Sequence, residues 1–189
     1  VQCILANHCS EFIANPYART GILENNPIHK DMLYAAEKAN LAFIQNVAIV
    51  SNHKIVNAFS GHREEAHLAG CQFVNSIAAV NAKAADIVIT SNGGYPLDQN
   101  IYQSVKGMTA GEAACKDGGV IIITAECSDG HGGEGFYEWF KDSENADEVM
   151  GKILSRKRDE TLPDQWEAQI LARILLNHKV IMVTDRKNH

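Results

Sequence analysis

Three side chains with complementary chemistry fall on one short run, the phenol of Tyr102, the amide of Gln103 and the ammonium of Lys106. On a helix, offsets of three and four put Gln103 and Tyr102 each beside Lys106, so the three groups converge on one patch suited to a single small anionic ligand. They follow Gly93-Gly94, a glycine pair that ends the apolar run Ala85-Asp86-Ile87-Val88-Ile89, and Asp98 is the expected N-cap of the helix. In open parallel sheets small molecules bind in the crevice beyond the carboxyl ends of the strands, where free helix N-terminal amides favour anions. The same residues also describe a solvated helix face after an ordinary glycine turn, and on residue types alone both readings stand.

A second loop with chemical potential is Glu126-Cys127-Ser128-Asp129-Gly130-His131-Gly132-Gly133-Glu134, which follows the apolar run Val120-Ile121-Ile122-Ile123. Parallel neighbours share a direction, so this loop is expected on the same edge as Gly93-Gly94, and the two would frame one crevice. Glycine lets backbone approach a ligand closely. The competing reading is a strand-to-helix connection in which Asp129 and Glu134 cap the next helix. His131 can carry a proton near neutrality, although a locally bonded loop histidine is the simpler reading. His29, His62 and His67 match no standard metal-ligand spacing, and solvated or capping roles are expected for them.

These groups must be positioned by alternating strands and helices. A helix is expected over about 28 to 40, with Met32, Leu33, Ala36 and Ala39 on its apolar face. Strands over 42 to 50 and 55 to 59, joined by a tight turn at Ser51-Asn52-His53-Lys54, form a hairpin. A helix over about 63 to 80 follows, then strand 86 to 91, helix 99 to 116, strand 119 to 125, helices near 134 to 141, 144 to 157 and 164 to 177, and strand 179 to 184. The opening residues read as a strand or its exit. This is an α/β pattern, a mainly parallel sheet with helices on both faces plus part of a second α/β domain. The expected division is 1 to 75 and 76 to 189, with the boundary in the stretch Asn75 through Lys83.

The chain has 189 residues, 46% of them hydrophobic, enough to bury a sizeable core. A net charge of -6 argues against nucleic acid, whose phosphates need clustered Lys and Arg. No apolar run approaches the roughly 20 residues of a membrane helix. The five cysteines are scattered without any Cys-x-x-Cys pair, which fits reduced thiols in a cytoplasmic protein.

The run GGYPLDQNIYQSVKGM from Gly93, the later ECSDGHGGE from Glu126 and the opening Asn7-His8 together resemble the lactate racemase family that uses a nickel pincer nucleotide. The resemblance covers essentially the whole chain and is to the second half of such proteins. It implies that His8 is a nickel ligand and that Tyr102, Gln103 and Lys106 line the pocket around cofactor and substrate, with Trp166, in Asp164-Gln165-Trp166-Glu167, as a further wall. Imidazole suits nickel, and one neutral nitrogen beside soft sulfur donors makes a mixed N/S site. Such a ligand needs its second ring nitrogen held by an acceptor.

The resemblance further implies racemisation or epimerisation of a 2-hydroxy acid, such as lactate, by reversible hydride transfer. Deprotonating that carbon is difficult beside a carboxylate, and a hydride acceptor avoids the carbanion. The family's tethering lysine, paired acid/base histidines and substrate arginine precede the position of His8, so the chain is expected to be a fragment, inactive alone, whose intact form works with cofactor-biosynthesis proteins. Two other classes remain open, a phosphate-binding or nucleotide-binding α/β module without nickel and a non-catalytic assembly domain.

Overall fold

The computed structural model describes residues 2–50 and 53–185. It divides into two compact units, one formed by residues 1–14 with 82–189 and the other by 15–81. This differs from a division at 75 and 76, because the first fourteen residues join the C-terminal unit.

In the unit of residues 15–81, α3 (Pro27–Lys38) is capped by Asn26, whose side chain accepts from the amides of Ile28 and His29. Strands β1 (Ile44–Ile49) and β2 (Ile55–Gly61) pair antiparallel, Ile44 opposite Gly61. Helix α4 (Arg63–Ala78) packs on both strands. Two residues of the expected hairpin turn, Ser51 and Asn52, lie outside the described residues. His62 stands at the N-cap of α4 but makes no capping hydrogen bond, and His29 stacks on His67 with ring centroids 5.5 Å apart. Among the described residues no three His, Cys, Asp or Glu side chains are grouped to hold a metal ion.

The other unit opens with α1 (Gln2–Asn7) and α2 (Ser10–Ala14), helices where a strand exit was expected. Cys3-Ile4-Leu5-Ala6 is too short an apolar run for periodicity to separate helix from strand. What holds the segment is burial: Cys9, Ser10 and Ile13 are buried, and α2 packs on a later helix, α8 (Gln165–Asn177).

Strands β3 (Ala85–Ser91), β4 (Cys115–Thr124) and β5 (Lys179–Val183) form a parallel sheet in that order. Ile89 pairs with Ile122, and Ile122 with Ile181. Helix α5 (Ile101–Glu112) connects β3 to β4, while α6 (Glu134–Lys141), α7 (Ala146–Leu154) and α8 connect β4 to β5. This is the α/β class with a parallel sheet. β-branched residues fit a pleated, half-buried surface, and Ile121 and Ile123 are fully buried under α5 and α8 with Val105, Val149, Ile153 and Ile174. Each such side chain contributes about 1.5–3 kcal/mol on burial. The opposite sheet face presents Ile87, Ile89, Ile181 and Val183 to the surface of this unit.

Helix α5 approaches the sheet closely because its inner face carries glycine. A Cβ at Gly107 would stand 2.9 Å from Ile123 Cδ1, and one at Gly111 would stand 2.9 Å from Ile121 Cγ2. Helix α5 is also clamped to α8, Arg173 donating to both carboxylate oxygens of Glu112 at 2.9 and 2.6 Å. The helix bearing Tyr102, Gln103 and Lys106 is therefore fixed on two sides.

Candidate active site

The two loops expected on one sheet edge are laced to each other. Cys127 and Asp129 donate their amides to the carbonyls of Asp98 and Gln99, at 3.0 and 2.7 Å. The Glu126 amide donates to Asp98 Oδ2, and Asn100 Nδ2 donates to Asp129 Oδ2. Asp98 is consequently not the N-cap of α5. Asn100 takes that position, its Oδ1 accepting from the Gln103 amide at 2.9 Å. Nor does Asp129 cap the following helix, whose N-cap is Gly133 without a side-chain bond.

The amides at the start of α5 are spoken for. Ile101 donates to the Gly130 carbonyl at 3.0 Å, Tyr102 to that of His131 at 3.2 Å, and Ser104 to that of Asn100 at 3.1 Å. The expected anion site on free helix amides is thus closed, because a protein loop supplies the acceptors that a phosphate would. Gly132, at φ +89°, makes the approach possible, since a Cβ there would meet Asn100 Cγ and Tyr102 Cβ at 2.9 Å. His131 stacks on Tyr137 at 4.4 Å, with its Nδ1 buried and unpartnered.

Beyond the cap, the side chains of α5 gather as the helix offsets require. Lys106 Nζ donates to Gln103 Oε1 at 2.6 Å and lies 5.9 Å from the centre of the Tyr102 ring. Asn92 supports the pair from the β3 exit, its amide nitrogen donating to the carbonyls of Leu97 and Gln103, the latter at 2.9 Å. Gly93 and Gly94, both with positive φ, form the exposed bend that this asparagine closes.

Tyr102 stands edge-on to Trp166, ring centroids 6.2 Å apart, and edge-on to Phe136 at 5.5 Å. Trp166 in turn lies 5.5 Å from the ring of His8. A contact series therefore runs from His8 through Trp166 and Tyr102 to Lys106 and Gln103, within one compact unit. His8 reaches it because Gln169 of α8 donates from Nε2 to the Ser10 carbonyl at 2.8 Å, tethering the N-terminal segment to the helix that carries Trp166.

The His8 ring is oriented by Nδ1, 2.9 Å from the Ile4 carbonyl of the preceding helical turn. In the neutral tautomer Nδ1–H donates there, which leaves the Nε2 lone pair for a metal or an acidic proton.

Two acids lie beneath these groups. Burial, helped by Asp164 and Glu167, pushes the Tyr102 phenol up to about 12, so it remains protonated through the physiological range. Glu167 is 1% exposed with Oε1 unpartnered. Burial pushes its carboxyl up to about 8, with Lys106 pulling it down and Asp164 pushing it further up. Neither acid was singled out from the sequence as a site residue, because their proximity to α5 is a tertiary fact. The local signal available was a tryptophan flanked by acids at a helix start.

Residues 80–189 match the lactate racemase C-terminal domain family. Over all 189 residues the chain is 83% identical to a lactate racemase of Thermoanaerobacterium thermosaccharolyticum, covering 44% of that protein. It is 55% identical over 184 residues to a lactate racemase of Lactiplantibacillus plantarum, covering 43% of that protein. The structure of the lactate racemase apoprotein from T. thermosaccharolyticum superposes on the full chain with a TM-score of 0.97 at 84% identity, the chain covering 45% of it. The chain thus spans less than half the length of these relatives. It belongs to the lactate racemase family, with residues 80–189 as that family's C-terminal domain.

Proposed function

We propose that this chain is the part of a 2-hydroxy-acid racemase or epimerase that supplies the histidine ligand and one wall of the pocket for a nickel pincer nucleotide. The observation that carries the reading is the series His8, Trp166, Tyr102, Lys106, Gln103. Its members bring together a metal-type nitrogen, aromatic walls and a cation, the set that a metal-bound organic anion needs.

The residues fit the cofactor. His8 holds Nδ1 on a backbone carbonyl with Nε2 unassigned, and among the described residues no group of three or more His, Cys, Asp or Glu side chains is placed to hold a metal ion. A lone imidazole suits a metal that arrives with its own sulfur donors. When bound, the cofactor supplies the acceptor for the hydride leaving C2 of the hydroxy acid. Lys106, already on Gln103 Oε1, offers its remaining N–H donors to a carboxylate or phosphate oxygen as a charge-assisted bond. Trp166 lies against the His8 ring and, with Tyr102, forms an aromatic wall beside it. Residues 1–75 are read as the C-terminal part of the family's N-terminal cofactor-binding domain, and most of them lie in the compact unit of residues 15–81. The paired acid/base histidines, the tethering lysine and the assembly proteins belong to the intact enzyme, and the free state of all five cysteines suits a reducing cytoplasm.

The test uses the full-length, cofactor-loaded protein with lactate and a panel of 2-hydroxy acids, following stereochemical inversion and bound nickel. Lys106→Ala is expected to lose most turnover while keeping nickel, and His8→Ala to lose nickel. Unchanged turnover in Lys106→Ala, together with unchanged nickel in His8→Ala, would remove both residues from the site and end the reading.

A further inference from the structure

We propose that Gln169 is a positioning residue for the metal ligand, its amide holding the Ser10 carbonyl and so fixing where the His8 imidazole stands. The inference rests on the proposed role of His8 as a nickel ligand, and it goes beyond that role by assigning the residue that places the ligand.

His8 belongs to the short joint His8-Cys9 between α1 and α2. Helices of six and five residues are too short to persist by themselves, so the joint stands where tertiary contacts hold its two flanks. From the α1 side the Ile4 carbonyl, 2.9 Å from Nδ1, orients the ring. The location of the ring is set from the α2 side. There Gln169 donates from Nε2 to the Ser10 carbonyl at 2.8 Å, and the Arg158 guanidinium lies 4.4 Å from the centre of the Phe12 ring. Ser10 is two residues beyond His8, a span of at most about 7 Å of chain. A displacement of the pinned carbonyl is therefore passed to the backbone that carries the imidazole.

The chemistry at position 169 points to direction rather than to packing. Gln169 is 2% exposed, and its buried Oε1 has no hydrogen-bond partner among the described residues. A buried acceptor left unpaired is costly, and leucine or methionine would fill the same space without it. What the amide supplies in return is a donor of fixed reach aimed at one backbone oxygen, in a place that water does not compete for. Trp166, three residues earlier on α8, lies 5.5 Å from the His8 ring. One turn of one helix thus meets the imidazole with an aromatic side chain and holds its backbone with an amide.

The experiment uses the full-length protein and the variants Gln169→Met, Ile174→Val and His8→Ala. Methionine keeps the length and volume of glutamine without a donor, and Ile174→Val trims the same helix in the core as a reference for a merely structural loss. In the apoprotein, hydrogen exchange reads the Ile13 amide, which donates to the Cys9 carbonyl at 3.0 Å, and its protection is expected to fall at least tenfold in Gln169→Met and to hold in Ile174→Val. In the loaded protein, the half-life of bound nickel against a chelator is expected to shorten about tenfold in Gln169→Met, the lower end of what loss of a ligand's support costs, and to stay unchanged in Ile174→Val. The His8→Ala, Gln169→Met double variant is expected to hold nickel no worse than His8→Ala. Should Gln169→Met fail to fold, Gln169→Asn, which keeps the amide and withdraws its donor by one methylene, carries the same readings. Unchanged nickel retention in the folded variant, or an equal loss in Ile174→Val, would overturn the assignment. Nickel held equally by His8→Ala and the unaltered protein would end the functional reading, while the Ile13 amide still decides whether Gln169 holds the segment.

Discussion

Substituting Gly132 by alanine tests whether the Glu126 to Glu134 loop is the cap that holds α5 and its side chains in place. Two costs add. Gly132 has φ +89°, and an added Cβ would stand 2.9 Å from both Asn100 Cγ and Tyr102 Cβ. An L side chain in the left-handed region costs about 1–2 kcal/mol, and overpacking a tight contact adds about 1–3 kcal/mol. The total is roughly 2–5 kcal/mol. Gly130 is the internal control, because it has φ +59° with nothing within 4 Å of its Cβ position. Gly130→Ala should therefore show the backbone cost alone, about 1–2 kcal/mol. The difference between the two variants isolates the contact with Asn100 and Tyr102. Urea unfolding gives the stabilities. Hydrogen exchange supplies the local readout, since Ile101 and Tyr102 donate to the Gly130 and His131 carbonyls and should lose protection selectively in Gly132→Ala. If Gly132→Ala is no less stable than Gly130→Ala and those amides stay protected, the loop is not what caps α5.

The remaining predictions concern the core, the helix clamp and a buried acid. Ile123→Ala removes a fully buried side chain beneath α5 and should cost about 2–5 kcal/mol in chemical denaturation. Arg173→Ala strips both charge-assisted bonds from the half-buried Glu112 and should cost about 1.5–3 kcal/mol, with a loss near zero refuting the clamp. Glu167 has its folded pKa raised from 4.5 to about 8, so the folded state binds the extra proton. Its contribution is fully present below pH 4.5 and is lost as pH rises toward 8, on the order of a few kcal/mol in all. Glu167→Gln should flatten that decline in a series of unfolding curves from pH 5 to 8, and an unchanged slope would show that another group causes it.

The parts of this architecture legible in the sequence are those whose signals are local. β-Branched runs ended by glycine mark β3 and β4, and the pairing of Gln103 with Lys106 follows from a three-residue offset on any helix. The cap of α5 shows where local information runs out. Asp98 and Asn100 are both good capping residues two positions apart, and the choice is made by the Glu126 amide, which engages Asp98 Oδ2 from the other loop. The same contacts that remove Asp98 from the helix bring the loop's carbonyls onto the α5 amides, so one tertiary docking event both moves the cap and closes the expected anion site.

The meeting of His8 with Trp166 is harder still to read from sequence, and for a different reason. Neither residue's neighbours predict it, since the chain between them passes through an entire separate unit. It depends on burial of Cys9, Ser10 and Ile13 and on one bond from Gln169 to the Ser10 carbonyl. Loop-closure cost rises only logarithmically with length, so a few buried contacts suffice to bring back a segment so distant in sequence. The same tether has a functional corollary. Because α8 carries Trp166, Asp164 and Glu167 while also anchoring the segment that bears His8, a shift of that helix would move the histidine, the aromatic wall and the acids together. The arrangement keeps their spacing constant.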